Sequence, residues 1–413
     1  MEAFGTRLVV APTATATALA FVFGGVALGT VSGLTPGIHV NNLALLLASV
    51  APAVPGPPKF VGAAMLAAGV VHSFLDVVPT LALGVPDPAM AATALPGHRL
   101  VIEGRGREAI RLSALGSGLA VAFAVPLAVP VTAAMTATYP LVRARLPLLL
   151  VAVAGLLVVT EPTVRGAVGG IVAFCASSVL GVLTLDLTLA APLDSGGVLT
   201  PLFAGLFGAP VLVDAMDGSG VPEQADATLA VSGKTVLLTA LGGALAGAVV
   251  GYLPGVSSAI AAVFALALVP GRTGARGFVV TTSGVNTANT VFALFALVVL
   301  GTPRTGVMVA LRETGAPLDL PILLASVAVA GIVGFVLVFV LGDTYLRTVG
   351  RMDYRLLSLV VLALLVAASF LFAGVAGIGV FLVSTALGLF PPRVGCRRVH
   401  LMGVLMGPLA LGG

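Results

Sequence analysis

A long apolar run in this chain is interrupted at Gly33, Pro36 and Gly37, and the same interruption returns 218 residues later at Gly251, Pro254 and Gly255. Sliding the chain by 218 also lays Gly24, Gly25, Gly29, Val31, Ala44 and Pro52 on Gly242, Gly243, Gly247, Val249, Ala262 and Pro270, giving nine identities in 29 positions without a gap. Composition alone would give ~3. Proline removes a backbone donor and glycine frees the turn, so each interruption ends one helix and starts another. Within a bilayer the backbone groups released there need a partner, which can be an ion, a substrate or water. Paired breaks in two halves of one chain point to a secondary transporter.

The bilayer follows from composition. Hydrophobic residues make up 59%, charged residues 9% and mean hydropathy is +1.17, whereas a soluble domain carries about 25% charged residues. About 11–12 hydrophobic segments recur along the 413 residues. Runs such as 146–159 and 356–370 do not alternate polar with apolar, which excludes a transmembrane β-barrel. The expected fold is an all-α polytopic membrane protein, built as two inverted repeats with broken helices and re-entrant hairpins. The net charge of +4 lies in loop arginines, a topology signal rather than a nucleic-acid site. Cys175 and Cys396 give neither a disulfide framework nor a metal site. The first ten residues carry one arginine and read as the lead-in to an uncleaved helix.

In the first repeat, 1–190, residues 11–32 form a helix broken at Pro36 and Gly37, with 42–50 as its second piece. Residues 60–83 form a helix stopped by Gly84, Pro86, Asp87 and Pro88. A basic loop, 98–111, precedes a span containing Pro126 and Pro130, then spans 146–159 and 164–187. The centre, 191–232, carries Asp194, Asp214, Asp217, Glu223 and Asp226. It reads as a hairpin plus an exposed acidic loop, on the side opposite the basic loops. The second repeat, 233–413, follows the same plan. Residues 235–250 precede the break and 259–269 follow it. Residues 278–300 then stop at Gly301 and Pro303, 217 positions after Gly84 and Pro86. Spans near 322–341, 356–372 and 375–389 complete it. The loop 98–111 holds four arginines and two glutamates, and its counterpart 312–319 one arginine and two acids. Opposite bias at equivalent positions implies opposite insertion of the halves.

Four polar groups interrupt the apolar background. His39, Asn41 and Asn42 follow the first break, and Ser257 and Ser258 follow the second. A half-helix beginning there aims free N–H groups inward, favourable for a carboxylate, although the same residues could serve only as caps. His72 and Asp76 lie one turn apart on one helical face, with Thr80 and Asp87 beyond. An intramembrane carboxylate needs a paired charge, a proton or a cation, so Asp76, His72 and Asp87 are candidates for the coupling ion or proton. The fourth group contains Asn286, Thr287, Asn289 and Thr290, with Thr302 and Thr305 after the second stop. Its amides suit a ligand better than helix glue, though small polar residues also mediate packing. Arg304 reads as a membrane-edge residue or as a partner for a substrate carboxylate, with the edge favoured. Two enzyme-like signals fail: Gly233, Lys234 and Thr235 lack a phosphate-loop glycine at Thr228, and Gly342 and Asp343 follow Val340 where a membrane protease needs glycine.

The ordered set resembles the large permease subunit of tripartite tricarboxylate transporters over most of the chain. The likeness runs through the break at residues 33–42, Gly84 to Pro88, and Ala94 to Gly106. It continues through residues 201–207, the break at 251–258, Val285 to Asn289, and Gly301 to Pro303. The chain is shorter than the usual large subunit and is similar to the stand-alone archaeal branch. The resemblance implies a carboxylate importer coupled to Na⁺ or H⁺ with no other cofactor, located in the plasma membrane. It also implies a solute-binding protein and a small membrane subunit as partners, and leaves a homodimer open. Two alternatives remain at this point: a membrane-embedded hydrolase using Asp76, and a non-transporting scaffold.

Overall fold

The computed structural model describes residues 2–3, 6–7, 11–36, 40–84, 94–193, 197–216, 222–226, 228–252, 258, 261, 265 and 274–412. Apart from a two-residue pairing of Glu2–Ala3 with Thr6–Arg7, these residues are helical or connect helices. In hydrocarbon a helix satisfies its own backbone, and this chain offers no alternating pattern that could close a barrel. Eight helices are long and apolar enough to cross a membrane, and two shorter apolar helices accompany them, among the described residues. The protein is a polytopic helical membrane protein.

The first half contains α1 (Pro12–Leu34), α2 (Val40–Val50), α3 (Pro58–Leu75), α4 (Val77–Leu83), α5 (Ala94–Ile102), α6 (Gly106–Ala144), α7 (Leu146–Val159) and α8 (Val164–Thr184). At the centre, α9 (Leu199–Phe203) continues through a π-helical turn, Ala204–Gly208, into α10 (Ala209–Ala215). The second half contains α11 (Gly233–Tyr252), α12 (Gly274–Leu300), α13 (Gly306–Glu313), α14 (Leu320–Val349), α15 (Tyr354–Gly388), α16 (Phe390–Val394) and α17 (Gly403–Ala410).

Glycines set how closely these helices approach. A Cβ at Gly25 or Gly29 would overlap the carbonyls of Ala64 or Ala68, and one at Gly33 would meet Leu75 at 2.9 Å. Partner numbers rise together, so α1 and α3 run parallel. The glycines 218 positions on behave alike. A Cβ at Gly243 would meet Thr281 O at 2.7 Å, one at Gly247 Val285 O at 2.9 Å, and one at Gly251 Phe292 Cβ at 2.7 Å. Thus α11 and α12 also run parallel, and Tyr252 and Gly274 lie at opposite ends of that pair. In the first half α2 makes the return. Leu47 and Val50 share a groove with Ala20, Phe21 and Leu28, so α2 turns back along α1. The sequence places 42–50 only as a second piece after the break; its reversed course along α1 is set by packing.

Two helices differ from simple spans. Pro79 has no N–H for the carbonyl of Leu75, and the helix expected over 60–83 divides at Asp76 into α3 and α4. Within α15, Gly374 takes φ +65° and ψ −160°, and Leu193 N–H donates to the freed carbonyl of Leu371 at 3.0 Å. That break falls between the expected spans 356–372 and 375–389. Gly84 and Gly301 both end their helices with φ near +65° (68° and 64°), the left-handed stop that glycine takes without a Cβ penalty.

Helix directions define two ends. Gly342 on α14 meets Ile110 on α6, and further along Gly118 meets Phe335 and Gly331 meets Val121. The two helices are therefore antiparallel. Leu320, where α14 starts, lies about 33 Å from Gly342 at 1.5 Å per residue, roughly the thickness of a hydrocarbon core. The basic loop before α6 and the loop before α14 thus stand at opposite ends of this pair.

The acidic loop lies elsewhere than expected. Ala225 N–H donates to Gly104 O at 2.8 Å, Gly106 N–H to Gln224 Oε1 at 2.6 Å, and Arg107 pairs with Asp226 at 3.1 Å. The loop 222–230 sits on the basic loop, not opposite it. Acidic residues contribute little to insertion, and the arginines there attract counter-charges. One apolar cluster joins α1–α6 to α11–α14, and a second joins α7 and α8 to residues 198–207 and 396–406. Neither cluster coincides with one half of the sequence.

Candidate functional site

Where α1, α3, α6 and α12 converge, the apolar core gives way to a polar seam. The division opposite Pro79 leaves Asp76 at the α3–α4 junction, 4% exposed. Asn286 on α12 donates its amide nitrogen to Asp76 Oδ2 at 2.7 Å. One turn before Asp76, His72 Nδ1 shares a hydrogen bond of 2.9 Å with Ser32 Oγ near the end of α1. Thr287 donates to Ser117 Oγ at 2.9 Å, Ser73 approaches Thr287 at 3.5 Å, and Ser113 and Ser283 share a bond of 2.8 Å. Ser117 also donates to the carbonyl of Ser283 at 3.3 Å. The seam therefore ties residues 32–117 to residues 283–287.

Its charge balance is specific. No lysine or arginine is buried among the described residues, whereas Asp76 and Glu108 are. Glu108 closes one end of the seam. Arg276 reaches its two oxygens at 2.8 and 3.2 Å, Arg105 lies at 2.7 Å, and Ala230 N–H donates at 2.7 Å. Near the second break, Tyr252 is fully buried and its hydroxyl meets Thr132 Oγ1 at 2.5 Å.

Of the residues singled out from sequence, His72, Asp76, Asn286 and Thr287 come together here. Asn289 stands on the next turn of α12, and its amide oxygen is buried without a hydrogen-bond partner among the described residues, as is the Thr302 hydroxyl. Thr305 caps α13, accepting from Met308 N–H, which gives it a structural duty. Ser258 is buried. Arg304 stacks over the Tyr139 ring, 4.9 Å from its centroid, and donates to its hydroxyl. Gly37, His39, Pro86, Asp87, Pro254, Gly255 and Ser257, and the side chains of Asn41 and Asn42, lie outside the described residues. Sequence reasoning missed Ser32, Ser113 and Ser117. The last two had a readable signal, four residues apart and so on one helical face.

A second polar cluster fastens the C-terminal segment. Glu161, between α7 and α8, accepts from Arg397 Nε at 2.8 Å and from His400 Nε2 at 2.7 Å. Burial pushes the Glu161 carboxyl up, but bonds from Arg397 and His400 outweigh it and hold it below the usual range. Burial pushes the His400 imidazole down, against the pull of Glu161. Arg397 also donates to Leu157 O and Thr160 Oγ1, at 2.7 and 2.8 Å, closing the end of α7.

The sequence matches the family described as "Tripartite tricarboxylate transporter TctA family" over residues 19–403. It is 25% identical over 401 residues to "Uncharacterized protein MJ1079" of Methanocaldococcus jannaschii, covering 95% of this chain and 98% of that one. No solved structure matches.

Proposed function

The chain belongs to the tripartite tricarboxylate transporter TctA family, and from that premise we propose that it is a secondary active permease for a di- or tricarboxylate. The observation that carries this reading is the buried seam between the halves, centred on Asp76 and Asn286. A scaffold has no need to bury a carboxylate, an imidazole and several hydroxyls at a helix junction, because each costs free energy unless satisfied. A hydrolase using Asp76 would want a second carboxylate or an activated nucleophile, and the side chain set against Oδ2 is a neutral amide.

In this reading the substrate carboxylates take free helix N-termini and the amides and hydroxyls of Asn41, Asn42, Ser258, Asn286 and Asn289, and a cation travels with the anion. The two sequence halves act as inverted repeats that rock about the seam, a reading supported by the antiparallel α6 and α14 and by the matched glycine contacts of α1–α3 and α11–α12. A plasma-membrane location, and assembly with a solute-binding protein and a small membrane subunit, follow the family's tripartite character. Uptake of labelled di- and tricarboxylates into proteoliposomes, with Na⁺, proton or no gradient imposed, tests the function. Accumulation of one of them is the expected result. No gradient-driven or exchange uptake of any would remove the reading.

A further inference from the structure

A coupling Na⁺ and a coupling proton ask for different surroundings. Na⁺ is held by a cage of oxygens, many of them unwound backbone carbonyls. A proton needs a carboxylate and a neighbour that can satisfy both its charged and its neutral form. The group presented to Asp76 Oδ2 at 2.7 Å is an amide nitrogen, which is a donor. An ionised Asp76 takes that N–H. A protonated Asp76 can donate its O–H to the amide oxygen once the amide turns over. Asn286 thus serves both states.

A route lies beside the pair. From Ser73, 3.5 Å from Thr287, two hydroxyl pairs step toward the Glu108 end, Thr287 with Ser117 at 2.9 Å and Ser283 with Ser113 at 2.8 Å, joined where Ser117 donates to the Ser283 carbonyl at 3.3 Å. Hydroxyls in such contact leave no room for a metal ion between them, while each can give one proton and accept another. His72, on the same helix, is the near titratable neighbour. Helices α1, α2 and α4 bring no Asp, Glu, His, Lys or Arg. The titratable groups of α5, α6, α12 and α14 (His98, Arg99, Arg107, Glu108, Arg111, Arg276, Asp343 and Arg347) stand toward the Glu108 end of these helices. Tyr139 and Arg143 of α6, and Arg312 and Glu313 of α13, stand toward the other. The break segments themselves are nearly uncharged. Residues 33–58 hold His39 alone among Asp, Glu, His, Lys and Arg, and residues 251–271 hold none. Lys59, at the start of α3, and Arg272 lie just beyond these stretches; within them no lysine or arginine is present to clamp a bound carboxylate, and in this reading cancelling its charge falls to the ion that accompanies it.

We propose that this ion is a proton carried on Asp76. The step is one proton transfer. A proton from solvent adds to the Asp76 carboxylate to give the neutral acid, bonded to Asn286. The same O–H breaks on release to the opposite face, and any hydroxyl that relays the proton gives up one as it accepts another, so no other net bond change occurs. The proposal rests on the transporter reading above and refines it by naming the ion.

Infrared difference spectra of the reconstituted full chain, with no carboxylate substrate added, read Asp76 directly. Acidification is expected to raise the carbonyl stretch of a buried carboxylic acid in the wild type and not in Asp76→Asn. Exchanging choline chloride for NaCl at fixed pH is expected to leave that band and the melting temperature unchanged. In Asn286→Ala the band should persist at a shifted frequency, because its partner is gone. This variant keeps the test decisive if Asp76→Asn fails to insert. The proposal is overturned if no band depends on Asp76 or Asn286. It is equally overturned if NaCl at fixed pH removes the band, or raises the melting temperature of the wild type alone. Either result leaves carboxylate transport standing, with Na⁺ as the ion. Failure of the uptake scan would instead remove the transport reading without touching the infrared result.

Discussion

Asn286 places its amide nitrogen 2.7 Å from Asp76 Oδ2 across 210 residues of sequence, and together with the Thr287–Ser117 and Ser113–Ser283 hydrogen bonds it ties the two halves along one polar seam. Asn289, three residues on, keeps a buried amide oxygen without a hydrogen-bond partner among the described residues. The two asparagines therefore differ in what removing them costs.

Asn286→Ala should lower both thermal stability and apparent substrate affinity. A lost hydrogen bond to a charged group costs about 1.5–3 kcal/mol, or roughly a tenfold to hundredfold change in an equilibrium constant. Asn289→Ala should leave stability within about 0.5 kcal/mol of wild type and weaken affinity. Melting curves and uptake kinetics on the same purified variants read both quantities. A destabilised Asn289→Ala with normal affinity would assign that residue to helix packing.

Gly25 and Gly24 are neighbours with opposite fates. A Cβ at Gly25 would overlap the carbonyl of Ala64, while one at Gly24 meets nothing within 4 Å. Gly25→Ala should destabilise by about 1–3 kcal/mol through overpacking. Gly24→Ala should be neutral or stabilising by up to about 1 kcal/mol from helix propensity. Thermal unfolding in detergent compares them, and equal melting temperatures would contradict the close approach of α1 to α3.

Single cysteines placed at Arg105 and at Thr314 should react with an impermeant thiol reagent from opposite sides of the membrane. The antiparallel course of α6 and α14 sets this expectation. Labelling of both from one side would rule out the inverted arrangement.

Acid should loosen the C-terminal segment in two stages. Burial pushes His400 below its ordinary value of 6.5, so as pH falls through about 6.5 the unfolded state takes a proton that the folded state refuses, and stability drops. His98, also lowered by burial, adds a loss of the same sign. Glu161 is held below the usual 4.5. Its stabilisation is present above that value and is lost as pH falls through the folded one. Melting temperatures from pH 8 to 4 should therefore decline, and His400→Gln should flatten the decline between about pH 7 and 5. An unchanged slope in that variant would contradict a neutral buried His400.

What was legible in the sequence was mostly what backbone chemistry dictates. Glycine and proline punctuate a chain whatever surrounds it, so the stops at Gly84 and Gly301 could be placed beforehand, while the break at Gly374 was legible only as the gap between spans 356–372 and 375–389. Asp76 could be recognised as costly, but not as the point where the helix divides opposite Pro79, because a missing N–H leaves no mark on the hydropathy of an apolar run. The pairing of Asp76 with Asn286 is a property of packing across the halves, and no local pattern encodes it. The same holds for the reversal of α2 and for the docking of 222–230 on the basic loop. Charge counts orient loops only through lysine and arginine, and they were silent about where acids settle.

The permease reading seats the anion at Asn286 and Asn289 of α12, on the polar seam about which the halves rock. With Cys175 and Cys396 replaced, Ser117→Cys sets one thiol within it, beside Thr287. The rate at which a small thiol reagent labels that cysteine, with and without the carboxylate found in the uptake scan, is the most direct test. The account predicts labelling during turnover and slowing of about tenfold or more by saturating substrate, as occupancy at ten times the dissociation constant requires. Equal rates with and without substrate, or no labelling while transport proceeds, would contradict it.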